Sequence, residues 1–176
     1  MLSHLSLASL LLCGLLLVGC DTTDPVSPVD PVEVTGSYNF QSLQFMPTSQ
    51  GIVDADVLAR LVADETRLTL VNTSRGGQFQ LFYRFDGELT DIISGTYTAT
   101  ANNVTLTVRE EDRASISALL LDPTMTFERV NDETLSIDRT KTVDLRSYDP
   151  EVYASVDPNG VPGRLVIRLV RQSVAD

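Results

Sequence analysis

The chain has 176 residues, with 24 Asp and Glu against 13 Lys and Arg, for a formal net charge of −11. None of those charged residues lies in the first 20 positions, so the body that follows carries the whole excess, and its acidity argues against nucleic acid or anionic lipid as a bound surface. His4 is the only histidine, and Cys13 and Cys20 are the only cysteines.

An uncharged apolar run opens the chain. From Leu5 to Val18 there are 14 residues, short of the roughly 20 that a membrane-spanning helix needs, and the length fits a signal h-region instead. The run closes on Leu17-Val18-Gly19-Cys20. These residues resemble the lipobox of bacterial lipoproteins, in which a peptidase cuts before a diacylglycerol-modified cysteine and requires a small residue before the cut. Gly19 is such a residue, although Met1-Leu2-Ser3-His4 departs from the family in lacking Lys or Arg. The resemblance implies a signal peptide over 1–19, lipidation of Cys20, and a cell-envelope protein held to a membrane by its acyl chains. Asp21 resembles an inner-membrane retention signal used in some lineages, which leaves inner against outer membrane, and periplasm-facing against surface-exposed, open. Cys13 leaves with the signal, so no disulfide forms in the mature chain.

Residues 20–34 read as a tether. Pro25, Pro28 and Pro31 recur every three residues, the period of polyproline II, which makes an extended spacer of roughly 40 Å. A proline-rich ligand for a recognition module is the alternative. Residues 35–176 have the length of one domain.

Within that domain the pattern is β. Gly36 to Met46 and Thr66 to Asn72 are expected strands, joined by a segment in which Asp54 caps a helix through Ala63, with Val57, Leu58, Leu61 and Val62 on one apolar face. Phe79, Leu81, Tyr83 and Phe85 alternate along the next strand. Asp86-Gly87 then predicts a tight type I′ hairpin into a return strand over 89–100. Asn102-Asn103 turns into Val104, Leu106 and Val108. The stretch from Arg113 to Leu121 is open between an aliphatic strand and a short helix capped by Asp112, with helix favoured because Pro123 follows. Met125 and Phe127, a turn at Asn131-Asp132, and Leu135 and Ile137 make two more strands, and Gly163 opens a last one carrying Leu165, Ile167 and Leu169.

About eight strands joined by short turns, with one or two short helices, bury a strictly apolar face most simply by closing on themselves. The expected fold is an antiparallel up-and-down eight-stranded barrel. Gly36-Ser37-Tyr38 at the first strand and Gly95-Thr96-Tyr97 at mid-chain resemble the Gly-x-aromatic elements of lipocalin-like lipoproteins. In that family an arginine of the last strand stacks on a first-strand tryptophan; the chain has no tryptophan, and the resemblance implies Arg164 or Arg168 against Tyr38. Glycines that relieve strand bends are the plainer account of Gly36 and Gly95.

With His4 and Cys20 withdrawn, the mature chain has no His base, Cys nucleophile or His/Cys metal ligand. Carboxylate pairs or a Ser-Lys dyad at Lys141 are what remain for catalysis. Glu110-Glu111-Asp112 reads as a solvated charge run, Asp157-Pro158-Asn159-Gly160 as a turn, and Asp54 with Asp56 lacks the oxygens for calcium. The expectation is no enzyme, no cofactor and no metal. Two functions stand against each other: a lipocalin-like domain that binds a small apolar ligand in the barrel mouth, with 54–63 as a lid, and a structural or protein-interaction lipoprotein whose barrel is filled. Phe79, Leu81, Tyr83 and Phe85 serve either, as cavity lining or as plain core.

Overall fold

A computed structural model describes residues 34–173. The lipobox, Cys20 and the proline tether lie outside the described residues. The strands are β1 (Gly36–Pro47), β2 (Ala55–Asp56), β3 (Arg67–Thr73), β4 (Gly76–Tyr83), β5 (Asp91–Ala99), β6 (Asn103–Val108), β7 (Thr124–Arg129), β8 (Thr134–Val143) and β9 (Val161–Arg171). Two short helices, α1 (Arg113–Ala118) and α2 (Leu145–Tyr148), interrupt them. Apart from the two-residue β2, each strand pairs antiparallel with the next, and β1 pairs with β9. The sheet closes into an eight-stranded up-and-down barrel of lipocalin-like architecture.

Alternation along the strands sets the interior. Leu68, Leu70, Phe79, Leu81, Val104, Leu106, Met125 and Phe127 point inward and are buried, while threonines point out and bond in cross-strand pairs such as Thr105 with Thr126 at 3.0 Å. β1 keeps Tyr38, Leu43 and Phe45 all inward despite their broken spacing, because a register shift against β9 between Phe40 and Ser42 inserts an extra residue.

Large rings fill the centre because small residues face them. A Cβ on Gly95 would lie 2.4 Å from the Phe79 ring directly across β4–β5, and one on Gly163 would lie 2.3 Å from the Phe45 ring. Gly77 faces Tyr97 in the same way, at 2.8 Å. Gly95 therefore makes room for a ring, whereas Gly36 has a φ of 141° that only glycine adopts freely.

Three expectations are corrected. Residues 54–63 are not one α-helix: Ala55 and Asp56 pair with Phe45 and Gln44, and Leu58–Arg60 and Ala63–Glu65 are single 3₁₀ turns. The reason is that β3 pairs with β1 only over Gly36–Asn39, so the far half of β1 needs another partner, which Ala55 to Val57 supply. Asp86-Gly87 is not a two-residue hairpin, since the pairing of β4 with β5 ends at Tyr83 and Asp91. Phe85 instead bridges to Leu61, and Gly87 alone takes positive φ, at 79°, in a turn closed by Glu88 N–H donating to the Phe85 carbonyl. Tyr38 meets Arg171, not Arg164 or Arg168. Arg164 is on the outer face, where it pairs with Asp138, and Arg168 is also exposed.

The barrel has two unlike ends. The short turns 74–75, 100–102 and 130–133 lie at the end where β1 begins and β9 finishes. All long connections gather at the far end. There Val57, Leu61, Ile116, Leu119, Leu145 and Tyr153 are buried and stop the barrel like a plug.

Candidate functional site

A barrel that carries a ligand inside leaves the lining of that space accessible to water when empty. Here the inward side chains of Phe45, Ile93, Leu106, Leu165 and Ile167 are at most 1% exposed, and Tyr83, at the far rim, is 5% exposed. The interior is filled by protein.

Open space lies at the two ends instead, and at the near end it is a depression of about 790 Å³ beside Gly36, Val71 and Arg171. At the far end a cleft of about 950 Å³ runs between the 84–90 connection, α1 and α2. Its floor is Tyr83, Phe85 and Arg60; its α1 wall is Ala114 and Ala118, an i, i+4 pair whose methyl groups leave the space unfilled. Tyr148 and Ser147 of α2 complete it and also border an adjoining depression of about 480 Å³ that continues past Ala118 to Lys141.

Two charged groups of this cleft, Asp91 and Arg60, are paired within the protein. Tyr83 donates its phenolic proton to Asp91 Oδ2 at 2.8 Å, and burial first, then that carboxylate, pushes its pKa above the ordinary range. Arg60 lies against two rings, its guanidinium carbon 4.8 Å from the Tyr148 centroid and 5.5 Å from that of Phe85, while pairing with Asp149 at 3.4 Å. Glu88 and Leu89 stand at the exposed lip, Leu89 at 91% exposure.

Lys141, the candidate for a dyad, donates to Asp122 Oδ1 at 2.8 Å and to the Leu120 carbonyl at 2.9 Å. The two serines of the adjoining depression are engaged elsewhere: Ser117 donates to the Arg113 carbonyl at 3.0 Å, and Ser147 donates to Asp144. Leu120 takes a φ of 57°, a left-handed conformation, at the tip of the segment that fills the divergence between β7 and β8. Those strands pair only at Glu128 with Ser136 and Arg129 with Leu135. Asp122, held by Lys141 and Arg139, closes the rest of the gap.

Elsewhere the expected residues are structural. Glu110-Glu111-Asp112 form a 3₁₀ turn; Asp112 sits at the N-cap position of α1, but its carboxylate accepts from Ser94 N–H at 2.8 Å and does not cap the helix. Asp157 accepts from Asn159 N–H at 2.8 Å in a turn that ends at Gly160 with φ 106°. Asp56 accepts from Ala59 N–H at 3.1 Å; Asp54 is exposed. Among the described residues, no three His, Cys, Asp or Glu converge on a metal site.

Sequence reasoning missed Arg60 and α2. The signal for α2 was legible: Asp144 caps it by accepting from Arg146 and Ser147 N–H at 3.0 and 3.2 Å. Arg60 had no such signal, because its partners Phe85 and Tyr148 are distant in sequence. No family model matches the chain, and no curated protein matches it significantly.

Proposed function

We propose that this chain is a non-enzymatic lipoprotein of the cell envelope, anchored through an acylated Cys20, in which a solid barrel serves as a rigid scaffold for binding at its far end. The observation that supports the scaffold reading is the packed interior, with side chains such as Phe45, Ile93 and Leu165 shielded from water. Topology adds to it. The tether of residues 20–34 would join the barrel at the start of β1, so the long connections and the cleft would face away from the membrane.

The reading in which a small apolar ligand is carried moves from the interior to the mouth. The cleft between Phe85, Ala118 and Tyr148, with Arg60 of the 54–63 segment at its floor, favours it. Two measurements separate the parts of the proposal. Metabolic labelling with palmitate should mark the wild-type protein and not Cys20→Ala, and the variant should leave the membrane fraction. Native mass spectrometry of the protein from its own envelope should find no lipid held within the barrel; a stoichiometric acyl or isoprenoid ligand would overturn the solid-scaffold reading.

A further inference from the structure

We propose that a second far-end patch, formed by the loops 48–54 and 149–160, docks a basic protein segment through an apolar centre and an acidic rim. The inference rests on the reading of that end as a binding surface. Both loops leave the barrel where β1 and β8 finish. Val53 and Val152 stand out from them, 60% and 58% exposed, while Ile52 and Val156 are half-buried against the core. Together the four side chains border one depression of about 310 Å³.

The patch is held in shape by hydrogen bonds. Tyr153 donates its phenolic proton to the Val53 carbonyl at 3.3 Å, joining one loop to the other, and Val152 N–H donates to Asp149 Oδ1 at 3.0 Å. At the base of the loops, Thr48 N–H donates to the Pro162 carbonyl at 3.0 Å. Both valines are therefore presented on fixed backbone, so covering them removes apolar surface from water with little ordering cost.

Charge decides what covers them. Residues 48–59 and 149–163 contain Asp54, Asp56, Asp149, Glu151 and Asp157 and no Lys or Arg. Asp54 follows Val53, Glu151 precedes Val152, and Asp157 borders the depression itself. Arg60 pairs with Asp149 at 3.4 Å, and among the described residues no Lys or Arg pairs with the other four. Nor do three acids converge there as a metal site requires, so the charge is spread around the apolar centre. A second copy of this chain would bring these carboxylates against their own kind, and an acidic segment would meet the same repulsion. A basic segment with an aliphatic or aromatic side chain between its cations matches centre and rim together, as in an interface whose apolar core lies inside a polar border.

The test titrates the full chain, in mild non-ionic detergent, with the capped peptide Lys-Leu-Lys-Phe-Lys-Leu-Lys while resonances are followed by NMR. Its counterpart Glu-Leu-Glu-Phe-Glu-Leu-Glu and hexalysine are titrated separately. Saturable shifts confined to 50–54 and 151–157 are expected with the first peptide, and weaker ones with hexalysine. Val53, Asp54, Glu151 and Val152 are all exposed, so their substitution leaves the fold intact. Val53→Ser with Val152→Ser should weaken binding by roughly tenfold, as for paired interface anchors. Asp54→Asn with Glu151→Gln should weaken it by about fivefold at low salt and flatten its salt dependence.

Undisturbed spectra up to about 1 mM of the first peptide, in the range of weak binding, would overturn the proposal. So would hexalysine binding as tightly, since charge alone would then suffice, or shifts that the valine variant leaves unchanged. The glutamate peptide occupying the same residues would overturn it too, as would a dimer of the chain alone that the valine variant abolishes; both would leave the far end as a binding surface. Shifts confined to the outer strands would count against that reading as well.

Discussion

Tyr38 and Arg171 lock the barrel shut: they are register partners on β1 and β9, and the guanidinium donates to the phenol oxygen at 3.0 Å while its carbon lies 5.4 Å from the ring centroid. The same phenol donates to the Val34 carbonyl at 3.0 Å, which ties the residue preceding β1 to the seam. Tyr38→Phe keeps the ring and removes both bonds, leaving a buried carbonyl without its donor. The expected loss is about 1–3 kcal/mol in urea unfolding. A double-mutant cycle with Arg171→Met should show coupling of about 1 kcal/mol, and strict additivity would mean that the contact adds nothing.

Gly95 is expected to tolerate no side chain. Its Cβ would lie 2.1 Å from the Thr107 carbonyl oxygen as well as against Phe79, so the clash involves backbone that cannot move away without breaking β5–β6. Gly95→Ala should destabilise by about 3 kcal/mol or more, at the upper end for overpacking. Gly51→Ala, where nothing lies within 4 Å but φ is 83°, should lose only about 1 kcal/mol. Thermal unfolding of the two variants side by side checks the order.

Lys141→Met tests how the gap between β7 and β8 is held. The substitution keeps much of the stem and deletes the ammonium that binds Asp122 and Leu120, whose carbonyl belongs to a left-handed residue. A loss of about 1–3 kcal/mol is expected, as for a partly buried charged hydrogen bond. Amide exchange should rise first over 119–123 and β8, and uniform exchange across the barrel would contradict the local role.

Alkali should weaken the fold through tyrosine. Burial holds the Tyr83, Tyr148 and Tyr153 phenols above their ordinary pKa. The unfolded chain thus releases protons near pH 10 while the folded chain keeps them. Their stabilising effect is complete below that pH and is lost as pH rises through the folded values. Urea midpoints at pH 8 and pH 10.5 should differ, and Tyr83→Phe should reduce the difference. An unchanged slope in that variant would remove Tyr83 from the account.

The sequence by itself determined the strands and their inward faces, because period-two alternation and turn residues are local: Val104, Leu106 and Val108 face the core as their spacing predicts, and Asn102-Asn103 turns the chain beside them. Only the tertiary structure decided what depends on residues far apart in the chain. Whether the barrel is hollow depended on Phe79 lying over Gly95 and Phe45 over Gly163, which alternation alone does not reveal. The 54–63 segment has a helical pattern, yet it became a strand and two turns because the open half of β1 offered hydrogen bonds that an isolated helix would have left unmade. The cleft arose in the same way. Arg60, Phe85, Ala118 and Tyr148 come from four separate connections, and closure of the barrel brings those connections to one end.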